Sequence, residues 1–311
     1  MHRRIIVLIL FFCCISMQKA KATHALGSEI RVEYVSASQY KVKLSIYRDC
    51  NGVNLPSTQT INWTGSCGSG SSNAIRVLKS DVTNVCASQT SACNRGGGAY
   101  GIEKHNYETT LSFPPGCMDV NLYWELCCRN RAITSFDGNA NQMYNEVFIK
   151  DPSQVNYSPE FIFGPSAFFP LINKPIINFQ CSDQDGDSLV YRLVSPQGQS
   201  GNTVSYYPGY SVSAPLGAGI TVSLDPIDGL MALSQTNSPE VGVVAVEIDE
   251  YRNGIKIGSI RRDMNLRLIN QVLNLSEVSP LIGDGGLLSA DTVLLLGEPF
   301  HADVYVTRIN R

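Results

Sequence analysis

Strict alternation of apolar and polar residues is the strongest signal along this chain. In Ile30-Arg31-Val32-Glu33-Tyr34 and in Tyr40-Lys41-Val42-Lys43-Leu44-Ser45-Ile46 every second residue is apolar, which turns one face of an extended strand toward a core. The two runs are predicted to form a hairpin. Val120, Leu122, Trp124 and Leu126 repeat the pattern, with Asn121, Tyr123 and Glu125 on the other face. Further along, Ile177, Phe179 and Cys181 are followed by Leu189, Tyr191 and Leu193. Val244, Val246 and Ile248 then return through Ile260, Met264, Leu266 and Leu268, and Asn253-Gly254 between them is the strongest short hairpin signal. No stretch has a period near 3.6, so the predicted fold class is all-β.

The spacing of breakers divides the chain. From Gly65 to Gly101 it is rich in Gly, Ser and Asn and carries Cys67, Cys86 and Cys93, which predicts a long irregular excursion held by disulfides. Pro159, Pro165, Pro170 and Pro175 then recur; proline removes ladder donors and suits connectors, placing the domain boundary near residues 152 to 172. The expected organisation is a disulfide-rich β domain over 23–151, an immunoglobulin-like β-sandwich over 152–272, and a C-terminal tail or the start of a further β domain over 273–311.

The N-terminus changes the picture from fold to address. Arg3 and Arg4 precede an apolar run from Ile5 to Ile15, and Ala20-Lys21-Ala22 supplies small residues at both recognition positions. Residues 1–22 are therefore read as a secretory signal peptide. The run has about half the ~20 residues a membrane-spanning helix needs. Phe11 and Phe12 stand before Cys13 and Cys14 where a lipidation site needs something small, which argues against a lipid anchor. Without Arg3, Arg4, Lys19 and Lys21, 20 Lys and Arg face 27 Asp and Glu, a net charge near −7. Such a surface is unsuited to nucleic acid, whose binding needs an excess of cations. No later apolar run is long enough to span a bilayer, Val293 to Leu296 being far too short. The expected localisation is secreted or cell-surface.

Eight cysteines follow the signal: Cys50, Cys67, Cys86, Cys93, Cys117, Cys127, Cys128 and Cys181. An even number in an exported chain reads as disulfides, each worth roughly 2 to 4 kcal/mol. A zinc site is the weaker reading, since there is no Cys-x-x-Cys pair and His24 and His105 fall in no ligand spacing. On a continuous strand Cys127 and Cys128 would point to opposite faces and take different partners. Seven of the eight precede residue 152, so full pairing requires Cys181 to bridge to the first domain; the alternative is two free thiols, with Cys181 buried beside Ile177 and Phe179.

Asp183-Gln184-Asp185-Gly186-Asp187 is the most chemically loaded stretch. Three carboxylates within five residues repel unless a cation or solvent screens them, and calcium takes several carboxylate oxygens in a flexible shell. The spacing is not that of an EF-hand, since Gly186 is fourth and Val194 twelfth. The competing reading is a solvated acidic turn. Catalytic signals are few: only His24, His105 and His301 remain after the signal, with no His-Glu-x-x-His and no Gly-x-Ser-x-Gly. Asp249 and Glu250 are adjacent carboxylates, read as an exposed hairpin end. Tyr206, Tyr207 and Tyr210 are read as a turn covering the sandwich, and Arg261-Arg262-Asp263 as a strand surface paired with Glu247 or Asp249.

Several strings in order, THALGSEIRVEY, LSIYRDCNG, YGIEKHNYETTLSFPPGC, CCRNRAIT, YSPEF, SDQDGDSLVYRL and EYRNGIKIGSIRRD, make residues 23 to 270 resemble the N-terminal region of large exported Bacteroidetes surface proteins of the gliding-motility-associated type, with PKD or cadherin-like repeats. The resemblance implies surface display or secretion, adhesion-like binding and no catalytic centre. It also implies further repeats and a C-terminal sorting domain, neither of which this sequence contains. FQCSDQDGDSLVYRL followed by VSLDPIDGLMAL is similar to the calcium-binding strand and turn of cadherin-type repeats. On that match Asp183 and Asp185 carry over as calcium ligands with Asp187 as a third carboxylate, while the acidic motif that follows the turn in such repeats is not found. The expected function is non-catalytic adhesion or extracellular binding to a protein, glycan or surface. The alternative is a glycan-binding or accessory module of a polysaccharide-degrading system.

Overall fold

The alternating runs form strands. The computed structural model describes residues 25–36, 38–83, 90–94, 97–98, 100–165, 168–170, 176–217, 219–234 and 240–269, with three strands at 277–282, 286–287 and 302–307. The expected signal peptide, Cys86, His24 and His301 lie outside the described residues. β1 (Ala25–Ser36) and β2 (Gln39–Asp49) make the expected hairpin, and Ile30, Val32, Tyr40, Val42, Leu44 and Ile46 are all buried. β3 (Thr58–Gly65), β4 (Gly68–Asp81), β5 (Ile102–Ser112), β6 (Val120–Leu126) and β7 (Met143–Ile149) extend this sheet in the order β1-β2-β5-β4-β3-β6-β7. The protein is all-β; the one helical element among the described residues is a 3-10 turn at Gln199–Gly201. Among those residues no helix is long and apolar enough to cross a membrane.

After β7 come the short strands β8 (Glu160–Phe161), β9 (Phe168–Pro170), β10 (Ile176–Asn178) and β11 (Cys181–Ser182), then β12 (Ser188–Val194), β13 (Val222–Leu224) and β14 (Leu230–Leu233). β15 (Val241–Arg252) and β16 (Ile255–Ile269) form a long hairpin whose turn residues Asn253 and Gly254 have φ of 53° and 77°. Both central residues at positive φ define the turn whose twist matches the flanking strands, which is why Asn-Gly marks it. β16 is the seam of the molecule. Its one edge pairs with β15, and β15 pairs onward with β12. Its other edge takes both ends of the first sheet, Gly258–Ile260 against β7 and Arg262–Met264 against β1. The strand pairings thus close into a circuit of eight strands, and β1 and β7 are covered where an open edge would expose unpaired backbone groups.

A second layer, β10-β14-β13, packs over the β15 side of the sheet. Ile177, Met231 and Leu233 belong to one apolar cluster with Val244, Val246 and Ile248, and the same cluster contains Val32, Leu44 and Trp124. Sheet and core therefore both run across the expected boundary at 151/152. The opposite face of β15 is covered too: Val243 packs with Ile133, Phe136 and Val204, and Tyr206 lies against that cluster. Two ion pairs fasten the seam: Arg129 to Asp263 with both side chains fully buried, and Arg262 to Glu29, with Arg262 Nε donating to Glu29 Oε2 at 2.7 Å. Arg261 pairs with Glu247 as its strand position suggests, but all three residues of the Arg261-Arg262-Asp263 run are buried. β17 (Glu277–Ile282), β18 (Gly286–Leu287) and β19 (Ala302–Thr307) form a separate three-stranded sheet.

Three expectations need correction. Part of the Gly-, Ser- and Asn-rich stretch is the fourteen-residue strand β4, paired on both sides, because backbone ladders to β3 and β5 hold it where its side chains supply little burial. Cys127 and Cys128 are bonded to each other: β6 ends at Leu126, so the opposite-face rule does not extend to them, and the peptide between them is cis. Cys181 forms no disulfide, and its thiol lies 3.6 Å from the Phe179 carbonyl beside the core. Its neighbours at Ile177 and Phe179 are buried, as the free-thiol alternative requires. The remaining described bridges are Cys50–Cys93 and Cys67–Cys117.

Candidate metal centre

The acidic turn joins β11 to β12 and is built by its own first carboxylate. Asp183 Oδ1 accepts the backbone N–H groups of Asp185 (3.0 Å) and Asp187 (2.9 Å), and Gly186 supplies the left-handed φ of 78° that lets the chain double back. That fold turns the three carboxylates inward rather than leaving them strung along an extended segment. β12 pairs with β15 so that Leu189 stands opposite Glu250, and the turn is thereby laid over the end of the long hairpin. One oxygen from each of Asp183, Asp185, Asp187 and Glu250 falls within 4.8 Å of the others.

Glu250 is the member that sequence reasoning missed. The expected exposed hairpin end is not exposed: Asp249 and Glu250 are 3% and 0% accessible, Asp249 held by Arg192 and Lys256 and Glu250 lying against the acidic turn and Asn156. Asn156 Nδ2 donates to Glu250 Oε2 at 3.0 Å, while Oε1 is buried with no hydrogen-bond partner, as is Asp183 Oδ2. Burial raises the Glu250 pKa to about 8; the nearby charges of Asp183 and Asp187, and a hydrogen bond to Asp183 that Glu250 gains when it carries the proton, push in the same direction against the Asn156 hydrogen bond.

Both Asp187 oxygens and Asp185 Oδ2 have partners. Asp187 takes a bidentate contact from Arg252, 2.8 Å from Nε and 2.5 Å from Nη2. Asp185 Oδ2 accepts the Tyr157 N–H at 2.8 Å and lies 3.3 Å from the same guanidinium. Arg252 also donates to the Val155 carbonyl and Asn156 Oδ1, tying the connector to the cluster. Four carboxylates thus meet one guanidinium. The donors are all hard oxygens, a set that suits calcium; no histidine or cysteine of the described residues joins them, which disfavours zinc. A cleft of about 120 Å³ opens beside Asn156 and Arg252.

Two other polar features are set apart from this centre. Glu103 is buried with Arg48 (2.6 Å), Lys79 (2.7 Å) and His105 (3.1 Å) beside the Cys50–Cys93 bridge. Its burial favours the neutral form, yet the bonds from Lys79, Arg48 and His105 outweigh this and hold its pKa at about 2. Burial lowers the His105 pKa, against the pull of Glu103. On the outer face of β1, β2 and β5 lies a cleft of about 260 Å³, lined by Glu29, Lys43, Ser45, Lys104 and Asn106 and walled by residues 159–164. The wall is held by Arg31 to Glu160 at 2.9 Å and by the Arg262 guanidinium 3.6 Å from the Phe161 ring centroid.

Comparison of the chain with models of known families, with curated proteins and with solved structures finds no match.

Proposed function

We propose that this protein is an exported, non-catalytic surface or secreted protein that binds an extracellular partner or surface, with calcium at Asp183, Asp185 and Asp187 stiffening its scaffold. The observation that carries the reading is the pair of buried, unpartnered oxygens, Asp183 Oδ2 and Glu250 Oε1, within a cluster of four carboxylates. Carboxylates packed together without cations of their own repel unless one takes up a proton, and a divalent ion turns that repulsion into attraction. Disulfides at Cys50–Cys93 and Cys67–Cys117 fit an oxidising compartment. Calcium is abundant outside cells, where modules of this kind bind at about 10⁻⁴ to 10⁻³ M. The resemblance to exported surface proteins supports the adhesive role. The test is thermal unfolding with and without calcium, with magnesium as the control: a calcium-specific rise supports the reading, and its absence at 10 mM calcium (~10 mM exceeds that affinity range) removes it.

A second reading, glycan binding, draws on the cleft over β1, β2 and β5. Its floor presents polar side chains, among them Asn106 and Lys104, whose ammonium lies 3.9 Å from Glu29 and 5.5 Å from the Tyr47 ring centroid. Balanced charges and amide or hydroxyl groups suit a polyhydroxylated ligand better than an apolar one. Glycan-array binding lost in Lys104→Ala with Asn106→Ala would favour this reading; array silence would remove it.

A further inference from the structure

We infer that Glu250 is itself a ligand of the cation, so that one divalent ion clamps the acidic turn to the end of the β15–β16 hairpin. The inference rests on the calcium reading and names a ligand outside the Asp-rich motif, 63 residues beyond Asp187. Two independent observations converge on it. Asp183 is held in place through Oδ1, which leaves Oδ2 as its free coordinating atom. Glu250 is held through Oε2 by Asn156, which leaves Oε1. Each carboxylate is therefore oriented by one oxygen and offers the other, the arrangement expected of ligands fixed by a supporting shell.

The mechanical consequence follows from the elements involved. The turn belongs to the β11–β12 connection, Glu250 to the central hairpin, and the Asn156 and Tyr157 contacts to the connector. That connector is fastened to β1, where Ser158 Oγ accepts the Val32 N–H at 2.8 Å and donates to the Val32 carbonyl at 3.1 Å. An ion between Asp183 and Glu250 would draw these elements together across the connection between the two halves of the chain. A shell drawn from separate elements suits calcium, whose coordination is flexible, better than magnesium, which demands near-ideal octahedral geometry and keeps its waters.

The experiment is calcium titration of the full chain by calorimetry, comparing wild type, Glu250→Gln, and Asp183→Asn with Asp185→Asn. Glu250→Gln preserves the side-chain shape and the Asn156 contact while removing the ligand charge. It is expected to unfold cooperatively without calcium, as the wild type does, and to bind calcium at least about tenfold more weakly, the range seen when even a supporting group is lost. Unchanged affinity in Glu250→Gln, with binding lost in the aspartate variant, would overturn the role of Glu250 and leave the calcium reading intact. No calcium heat in the wild type would overturn both. If Glu250→Gln does not fold, the carboxyl carbon-13 resonance of Glu250 in the wild type decides: a shift on adding calcium supports ligation, and an unmoved resonance refutes it.

Discussion

Glu103 and Glu250 are both buried carboxylates on strands of the same sheet, 5% and 0% accessible, yet their pKa values move in opposite directions, to about 2 and about 8. Burial opposes the charged form at both positions. The difference lies in the company each keeps. Glu103 meets two cations and a histidine within hydrogen-bonding distance, whereas Glu250 meets a neutral amide and other carboxylates. One cluster is balanced by the chain's own residues. The other has more negative charge than Arg252 can offset, so its balance must come from a proton or from an ion outside the chain.

The comparison can be broken most forcefully at Glu103. Glu103→Ala leaves Arg48 buried without its carboxylate and is expected to cost about 3 to 5 kcal/mol, read from denaturant unfolding. Glu250→Gln, measured without calcium near neutral pH, is expected to leave stability nearly unchanged, because burial already keeps Glu250 protonated there and the amide replaces a neutral carboxyl of the same shape. A loss of several kcal/mol there would contradict the asymmetry. Lys79, half-exposed, is the dispensable partner of Glu103, and Lys79→Ala should cost less than about 1 kcal/mol. Acid unfolding sharpens the same point. The folded pKa of Glu103 lies below its ordinary value of 4.5, so its contribution is present above pH 4.5 and is lost as pH falls toward 2. Glu103→Gln should flatten the stability profile across that window, and an unchanged profile would show that Glu103 is not the group responsible.

Local pattern made the strands legible wherever side chains decide the structure. The β1–β2 hairpin, β6 and the Asn253-Gly254 turn follow from alternation and turn chemistry alone. β4 was hidden because its Gly-, Ser- and Asn-rich sequence advertises a loop while its stability comes from backbone pairing on both edges. The acidic turn was visible as three aspartates, but Glu250 was not, since its burial depends on a turn more than sixty residues away in sequence folding over it. Arg262 was hidden for the same reason: its partner Glu29 is 233 residues distant, and only closure of the strand circuit brings them together. Cys127 and Cys128 defeat the opposite-face rule because they stand just past the strand that the rule describes.

Whether a divalent cation completes the second cluster is read from calcium titration of the wild-type chain. At ten times the dissociation constant calcium should add about 1.4 kcal/mol of stability, a rise of several degrees in melting temperature. A saturable calorimetric signal is expected at about 10⁻⁴ to 10⁻³ M calcium, the usual range of extracellular modules, lost in Asp183→Asn with Asp185→Asn and not reproduced by magnesium. A flat titration, or an equal response in the double variant, would contradict it and leave the acidic turn as a solvated loop over a protonated Glu250.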